Sequence, residues 1–402
     1  MRWLVVLAAA ALAPGQTFTN RGFFDLRTTV YPQTAANDSG RVVSEGLLRW
    51  EPSVEVSSSL RFFGSFDARS DTHRQVERSA RFDWQDRKLQ RPAFSLRRAS
   101  VQFNRGGWTL EGGKQFIRWG KADILNPTDR FAPRDYLSVV DNDFLGVLAG
   151  RATYEKNGHT LDAVVARFTP SRTPLINQRW TVLPDELANV PLLDEGSRHP
   201  ERAQVGLRYN RVGAGYEFST VFFDGHHHLP LFDGVPSQQG VRFSRYHPRL
   251  RLYGGDVAVP TPWFTLKGEA AYFTSSTATA DEYVLWVAQV ERTWGEWVFV
   301  GGYSGEVVTQ QRNPLAFAPD RGFASSVLAR ASYTIDPRRS FAMETAVRDS
   351  GDGLWIKGEY TQQLSAHWRA TASFTLIRGS RPDFLGQFHR NSHGLLLLRY
   401  SF

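Results

Sequence analysis

The chain has 402 residues, 41% hydrophobic and 13% aromatic, and no Cys, which excludes disulfides, thiolate metal centres and a lipidated N-terminal cysteine. A net charge of +8 first suggests nucleic acid, but the 48 Lys and Arg are spread along the chain among 40 Asp and Glu, with no basic run or basic helix. A polar average (mean hydropathy −0.37) beside 28 Phe, 13 Tyr and 12 Trp is what alternating lipid-facing and water-facing residues produce, because the two faces cancel.

Arg2 is followed by Leu4-Val5-Val6-Leu7 and the run from Ala8 to Ala13. This apolar stretch is too short for a spanning helix, which needs about 20 residues. A basic start, an apolar core and small residues behind it describe a secretory signal peptide. We expect residues 1–15 to be that peptide, cut before Gln16, and residues 16–402 to form one domain. No other segment approaches spanning length as a helix, so a membrane location requires a closed barrel.

Period-two alternation dominates after residue 17. From Val54 to Arg69, the set Val56, Leu60, Phe62, Phe66 and Ala68 shares one face, and Glu55, Arg61, Asp67 and Arg69 share the other. The same alternation recurs around Ala203–Asn210, Phe264–Tyr272, Ser326–Ile335 and Trp368–Leu376. These segments run about 10 to 13 residues, matching a tilted membrane strand better than the shorter strands of soluble sheets.

Tight turns are expected at Glu51-Pro52-Ser53, Arg105-Gly106-Gly107, Lys156-Asn157-Gly158-His159, Arg211-Val212-Gly213-Ala214, Pro260-Thr261-Pro262, Thr293-Trp294-Gly295-Glu296, Asp336-Pro337-Arg338-Arg339 and Ser365-Ala366-His367. Between them lie nine other connections, mostly longer: 32–41, 70–92, 118–146, 169–200, 225–248, 275–281, 307–322, 350–353 and 378–391. Nine hairpins make 18 strands, with 16 as the lower bound. The fold class expected is all-β: a single transmembrane antiparallel up-and-down β-barrel, with long outer loops and short periplasmic turns.

The fifth strand closes on Gly112-Gly113-Lys114-Gln115-Phe116-Ile117-Arg118-Trp119-Gly120. This stretch resembles the glycine, lysine or arginine, glutamine and Trp-Gly segment of several porin-like outer-membrane families of uncharacterised or exporter type. A third outer loop of about 29 residues follows, carrying Arg118, Lys121, Asp123, Asp129, Arg130, Arg134 and Asp135. Mixed Arg and Asp of this kind can set up a transverse field in a pore. The loop either constricts the channel or packs on the rim.

His226-His227-His228 falls in an outer loop, and consecutive side chains diverge too much to make one tetrahedral site. Asp185-Glu186 and Asp194-Glu195 form an acidic edge. No nucleophile elbow, P-loop or dinucleotide fingerprint is present, so no enzyme, cofactor or metal centre is expected. On the inward faces Arg61, Arg208, Lys267, Glu269, Arg330, Lys357 and Arg369 are expected to line the pore, because inward charges require a wet lumen or partners.

In the final segment Gly394, Leu396, Leu398, Tyr400 and Phe402 fall on one face. Here the chain resembles the outer-membrane β-barrel porins, whose last strand ends in an aromatic residue preceded by alternating apolar positions. The resemblance implies that Leu398, Tyr400 and Phe402 are read by the barrel-assembly machinery. It also implies that the third loop folds inward, and that the chain is an outer-membrane channel for passive diffusion of small hydrophilic solutes or ions; the near balance of inward charges allows at most a mild anion preference. Expected partners are outer-membrane lipid and lipopolysaccharide, the assembly machinery and the solutes, with a homotrimer left open and no nucleic acid. The alternatives are a closed barrel acting as a surface adhesin or assembly partner, and an exporter of a polymer. An energised transporter is excluded, because its 22 strands and N-terminal plug do not fit.

Overall fold

The computed structural model describes residues 16–402 apart from 184, 188 and 313–317; the expected signal peptide at 1–15 lies outside the described residues. Eighteen strands form one ring. In chain order they are β1 (Thr17–Val30), β2 (Val42–Ser57), β3 (Leu60–Asp71), β4 (Phe94–Arg105), β5 (Trp108–Gln115), β6 (Val147–Lys156), β7 (His159–Ala166), β8 (Gln204–Gly213) and β9 (Tyr216–His226). The second half continues with β10 (Arg249–Pro260), β11 (Thr265–Thr274), β12 (Glu282–Trp294), β13 (Trp297–Gln310), β14 (Ser326–Asp336), β15 (Arg339–Arg348), β16 (Leu354–Gln363), β17 (Trp368–Arg378) and β18 (His393–Ser401). Every strand pairs antiparallel with its sequence neighbours.

β18 returns to β1, from Phe23↔Ser401 to Val30↔Gly394. At the end of the chain Phe402 N–H donates to Gly22 O (3.0 Å) and Gly22 N–H to Phe402 O (3.1 Å). The sheet therefore has no free edge, as backbone groups in hydrocarbon require. Inside the seam, the Arg399 guanidinium grips both Asp25 carboxylate oxygens at 2.6 Å.

Directly opposite residues share a face, so the register carries one inward set around the ring. Asp162↔Arg208 links β7 to β8, Asp256↔Glu269 links β10 to β11, and Arg330↔Glu344 links β14 to β15. Outward positions carry exposed Phe62, Leu207, Leu266, Phe374, Leu396 and Leu398. Aromatic side chains crowd the short-turn rim, where Trp108 meets Tyr154, Trp297 meets Tyr333 and Trp368 meets Tyr400, each with ring centroids within 5.1 Å. Amphipathic rings at that height suit the membrane–water boundary. Among the described residues no helix is long and apolar enough to cross a membrane; the strands do the crossing.

The first expected turn is misplaced. Glu51-Pro52-Ser53 lies within β2, paired with β1 from Arg21↔Glu51 to Thr19↔Ser53. The chain reverses at Ser58-Ser59, where the Ser57 hydroxyl accepts from the N–H of Ser59 (3.3 Å) and Leu60 (3.1 Å). A serine side chain makes this turn, and Pro52 sits against Gly64 of the next strand instead. The turn expected at 211–214 falls slightly later, between Gly213 and Tyr216. At Asn157-Gly158 both residues have positive φ (51° and 76°), as a two-residue hairpin demands.

The outer connections carry structure of their own. Leu192–Arg198 pairs parallel with Gly240–Tyr246, which pairs antiparallel with Leu231–Ser237, so the loops at 167–203 and 227–248 share a small sheet.

A Cβ on Gly22 would meet the Phe402 ring and the Arg49 carbonyl, the latter at 2.6 Å. Gly22→Leu should therefore lose most of the folded barrel, scored as the heat-modifiable band on a denaturing gel. Gly46→Ala, whose nearest contact would be 3.9 Å away, should fold like the parent. Normal closure of Gly22→Leu would show that this seam does not depend on the close approach.

Candidate functional site: the lumen and its third loop

The register puts Arg61, Arg69, Arg208, Lys267, Glu269, Arg330, Lys357, Arg369 and Arg399 on the inner wall. Most have carboxylate partners. Arg61 pairs with Glu55 at 3.0 Å, Arg69 with Glu45 at 3.0 Å, Arg208 with Asp256 at 3.2 Å, Lys267 with Glu291 at 2.7 Å and Arg330 with Glu344 at 3.4 Å. Arg369, and Arg27 on β1, are exposed and have no carboxylate within 4 Å among the described residues.

The third loop (116–146) is nailed at its root. Gly113 has φ +120°, and a Cβ there would press into the Ala99 carbonyl oxygen, so only glycine fits. Lys114 Nζ is buried and donates to Trp84 O (2.9 Å), Leu96 O (2.7 Å) and Asp86 Oδ2 (2.5 Å). Gln115 Nε2 donates to Ala149 O at 3.0 Å. The short motif before the loop is thus the fastening of that loop to β4 and β6.

From there the loop touches the inner wall in sequence. Trp119 Nε1 donates to Asp162 on β7 (2.9 Å). Lys121 Nζ reaches Glu217 on β9 (2.5 Å) and Asp256 on β10 (3.2 Å). On β11, Glu269 accepts from the N–H groups of Lys121 (2.9 Å), Ala122 (3.1 Å) and Thr128 (2.8 Å), and from the Thr128 hydroxyl (2.8 Å). Asp123 pairs with Lys267 (3.2 Å), and its N–H donates to Gln289 on β12 (3.2 Å). Arg130 pairs with Asp320 (3.0 Å) in the loop between β13 and β14 and lies over the Phe273 ring. Asp141 takes Lys357 on β16 (2.6 Å) and lies 3.3 Å from His393 on β18. Asp143 accepts two bonds from Arg97 on β4, at 2.7 and 2.9 Å. Beneath this circuit Trp119, Leu125, Phe131 and Val139 share one apolar cluster with the inward Phe223, Leu252, Phe273 and Leu285.

This geometry changes the expected roles. Glu269 faces inward but is only 3% exposed, so it anchors the loop rather than lining open water. Lys267 and Lys357 likewise hold loop carboxylates. Asp129 is covered by Arg118 (2.9 Å), and Arg130 is partly buried in its pair with Asp320. Asp135 leaves the lumen for a buried network with Arg91 (2.8 Å) and Arg172 (3.2 Å). Burial alone would raise the Asp135 carboxyl, but Arg91 and then Arg172 outweigh it and hold it well below the usual carboxylate range. The charged loop residues that stay exposed are Arg118, Asp123 and Asp143, and Arg118 and Arg134 lie over the Phe144 ring at 4.1 and 4.3 Å.

Residues that sequence reasoning missed lie in the next loop. Arg179 stacks on Tyr31 (3.6 Å to the ring) and donates to the Gly40 carbonyl. Asn391 donates to Arg179 O at 2.9 Å, and Trp180 packs on Phe388. Residues 169–181 therefore run from β7 to the loops flanking the β1–β18 seam, on the far side of the mouth. No local sequence pattern marks such a strap; only the Arg-Trp pair amid polar residues hints at an anchor.

The three consecutive histidines take separate tasks. His226 and His228, with His199 and His247, surround the Phe168 ring, His247 closest at 4.7 Å. His228 approaches two carbonyls, Thr169 O (2.5 Å) and Arg130 O (2.7 Å), bridging three loops. Burial pushes His227 down to about 4 and His247 to about 3.

No family model matches the chain, and no curated protein matches it. Solved structures do. The chain aligns over 97% of its length with 99% of a BenF-like porin from Pseudomonas fluorescens Pf-5, at TM-score 0.58 and 10% identity. It aligns over 98% with 98% of OccAB1 from Acinetobacter baumannii and with 99% of OccK5 (OpdH) from Pseudomonas aeruginosa, both at TM-score 0.55 and 10% identity. At that identity the likeness is one of fold: a porin barrel, of the kind that resides in a bacterial outer membrane.

The histidine values carry a pH dependence. With folded values below the ordinary 6.5, the neutral forms are favoured in the folded loops. Stability is then complete above that value and falls as acid charges the rings between about pH 6.5 and pH 4. Hydrogen exchange, corrected for intrinsic rate, should show residues 227–248 losing protection at about pH 4.5 relative to pH 7. Unchanged protection would refute the buried, neutral assignment.

Proposed function

We propose that this porin-fold barrel is a channel for passive diffusion of small hydrophilic solutes across the outer membrane, with the third loop as its constriction. The observation that carries this is the loop's circuit of the inner wall, from β7 through β12 to β16 and β4, which leaves Arg118, Asp123 and Asp143 as its exposed charges. A loop fastened in this way narrows a lumen at a fixed place, and the groups at the narrowing select solutes by width and charge.

The position of the passage follows from the wall chemistry. At loop height the inward wall of β9–β12 is covered by the loop, its apolar residues packed beneath it and its Asp256, Lys267, Glu269 and Gln289 bound to it. Those of β1–β4 are Asp25, Arg27, Arg49, Asp67, Arg69 and Arg98, which favour water. The passage runs on that charged side. Arg27 and Arg369, without a carboxylate within 4 Å among the described residues, tilt it toward anions, although most other charges, Arg118 with Asp129 included, cancel pairwise.

Leu398, Tyr400 and Phe402, outward on β18, serve in this reading as the segment recognised during barrel assembly. A second reading, a closed barrel acting at the cell surface, draws on the strap at 169–181 across the mouth. Solute flux separates the two.

In planar bilayers the folded protein should give discrete channels. A deletion of 121–143, or the milder Glu269→Ala, should raise single-channel conductance by roughly twofold or more, because constriction width limits current. Unchanged conductance in both would reject the constriction. In a salt gradient the reversal potential should report a modest anion preference. Arg27→Glu together with Arg369→Glu should move it toward cations, and no shift would remove these residues from the conducting path.

A further inference from the structure

The lipid-facing wall is not evenly filled. On β5, β6 and β7 the outward positions Gly112, Gly150, Ala152 and Ala163 floor a trough with a volume of about 740 Å³. Phe103 and Leu110 rise on one side of it, Leu207 and Phe222 on the other. A Cβ added at Gly112 or Gly150 would meet nothing within 4 Å. In hydrocarbon such a groove does not stay empty, because unfilled space forfeits dispersion contacts on both sides.

The trough does not stop at the belt. A second concavity, of about 510 Å³, shares Gly150 and Val165 with it. It continues to the long-loop ends of β6 and β7 and finishes at Arg87, Arg167, His199 and Glu201. Long loops mark the outer rim of such barrels, so these residues are placed for the headgroups of the outer leaflet. Among the described residues Arg87 donates from Nη2 to Phe168 O at 3.3 Å. Neither Arg87 nor Arg167 has a carboxylate within 4 Å among the described residues, and Glu201 acts on Arg87 only from beyond ion-pair distance. Burial, and then the like charge of Arg167, lower the proton affinity of Arg87 and outweigh the opposing pull of Glu201. Guanidinium groups so placed favour a phosphate, which they can bind bidentately.

An apolar trough that ends in an unneutralised arginine pair is complementary to an amphiphile with an anionic head. We propose that the outer face of β4–β9 is a binding site for a phosphorylated, acylated glycolipid of the outer leaflet. One acyl chain lies along Gly112, Gly150, Ala152 and Ala163, and a phosphate sits between Arg87 and Arg167. A second barrel docked on this face would fill the trough but leave the arginine charges unpaired, so the lipid is the better complement. The site is independent of the channel, being on the opposite face of the wall.

The test is native mass spectrometry of the folded full-length barrel in detergent, with diphosphorylated lipid A and its dephosphorylated form as probes. The phosphorylated probe should be retained preferentially. Arg87→Gln with Arg167→Gln should lower its retention about tenfold, the scale of lost charge-assisted hydrogen bonds. Gly150→Leu, which fills open space, should lower retention of both probes while keeping the heat-modifiable folded band and the conductance. Equal retention of the two probes, or no effect of either variant, would overturn the proposal. So would displacement of the lipid by millimolar inorganic phosphate, which would mark a bare anion site. A dimer that Gly150→Leu abolishes would overturn it in favour of a contact between barrels.

Discussion

Closure is the constraint on which everything else rests. A backbone in hydrocarbon cannot leave donors or acceptors to water, so β1 must find β18, and the whole sheet must curl to allow it. Once the ring is closed, the pleat divides the side chains: one face meets lipid and the other is enclosed. Phe402 shows how tightly the two ends are coupled. Its backbone exchanges both hydrogen bonds with Gly22, and its ring takes the space that any side chain at Gly22 would need.

Enclosing a polar face creates the second problem, which the inner wall solves in two ways. Near β1–β4 charges meet across neighbouring strands, as in Arg49–Asp67 at 2.7 Å and Arg399–Asp25 at 2.6 Å. Farther round, the partners are the loop itself. Glu269 accepts four hydrogen bonds from residues 121–128, each worth about 1.5–3 kcal/mol to a charged acceptor. Burying the carboxylate costs several kcal/mol, which these bonds offset. What remains is position: a loop with one place to lie, which a channel of fixed width requires.

Much of this was legible in the residues. The strand count, the inward and outward sets and the outer connections follow from alternation, which is local. The failures have one physical origin: the deciding partner lay elsewhere. Pro52 signals a turn, but the hydroxyl of Ser57 makes one a few residues later. Glu269 reads as a pore-lining charge until residues over 140 positions away cover it. Asp135 reads as part of a constriction until Arg91 and Arg172 draw it into a buried network. The motif at Gly113-Lys114-Gln115 was visible as a pattern, but its meaning depends on Ala99, Trp84, Asp86 and Ala149, which only the closed ring brings near.

The two faces of β5–β8 share a logic. Small residues on these strands thin the wall on both sides. Inward, Gly206 leaves room that Phe131 and Trp119 of the loop occupy, since a Cβ there would run into both rings. Outward, Gly112 and Gly150 leave room that nothing in the chain fills. A side chain at Gly206 would expel the loop and widen the pore; one at Gly150 would touch only what comes from the membrane. The inward vacancy thus seats the loop, and the outward one is open space on the lipid-facing side of the same wall.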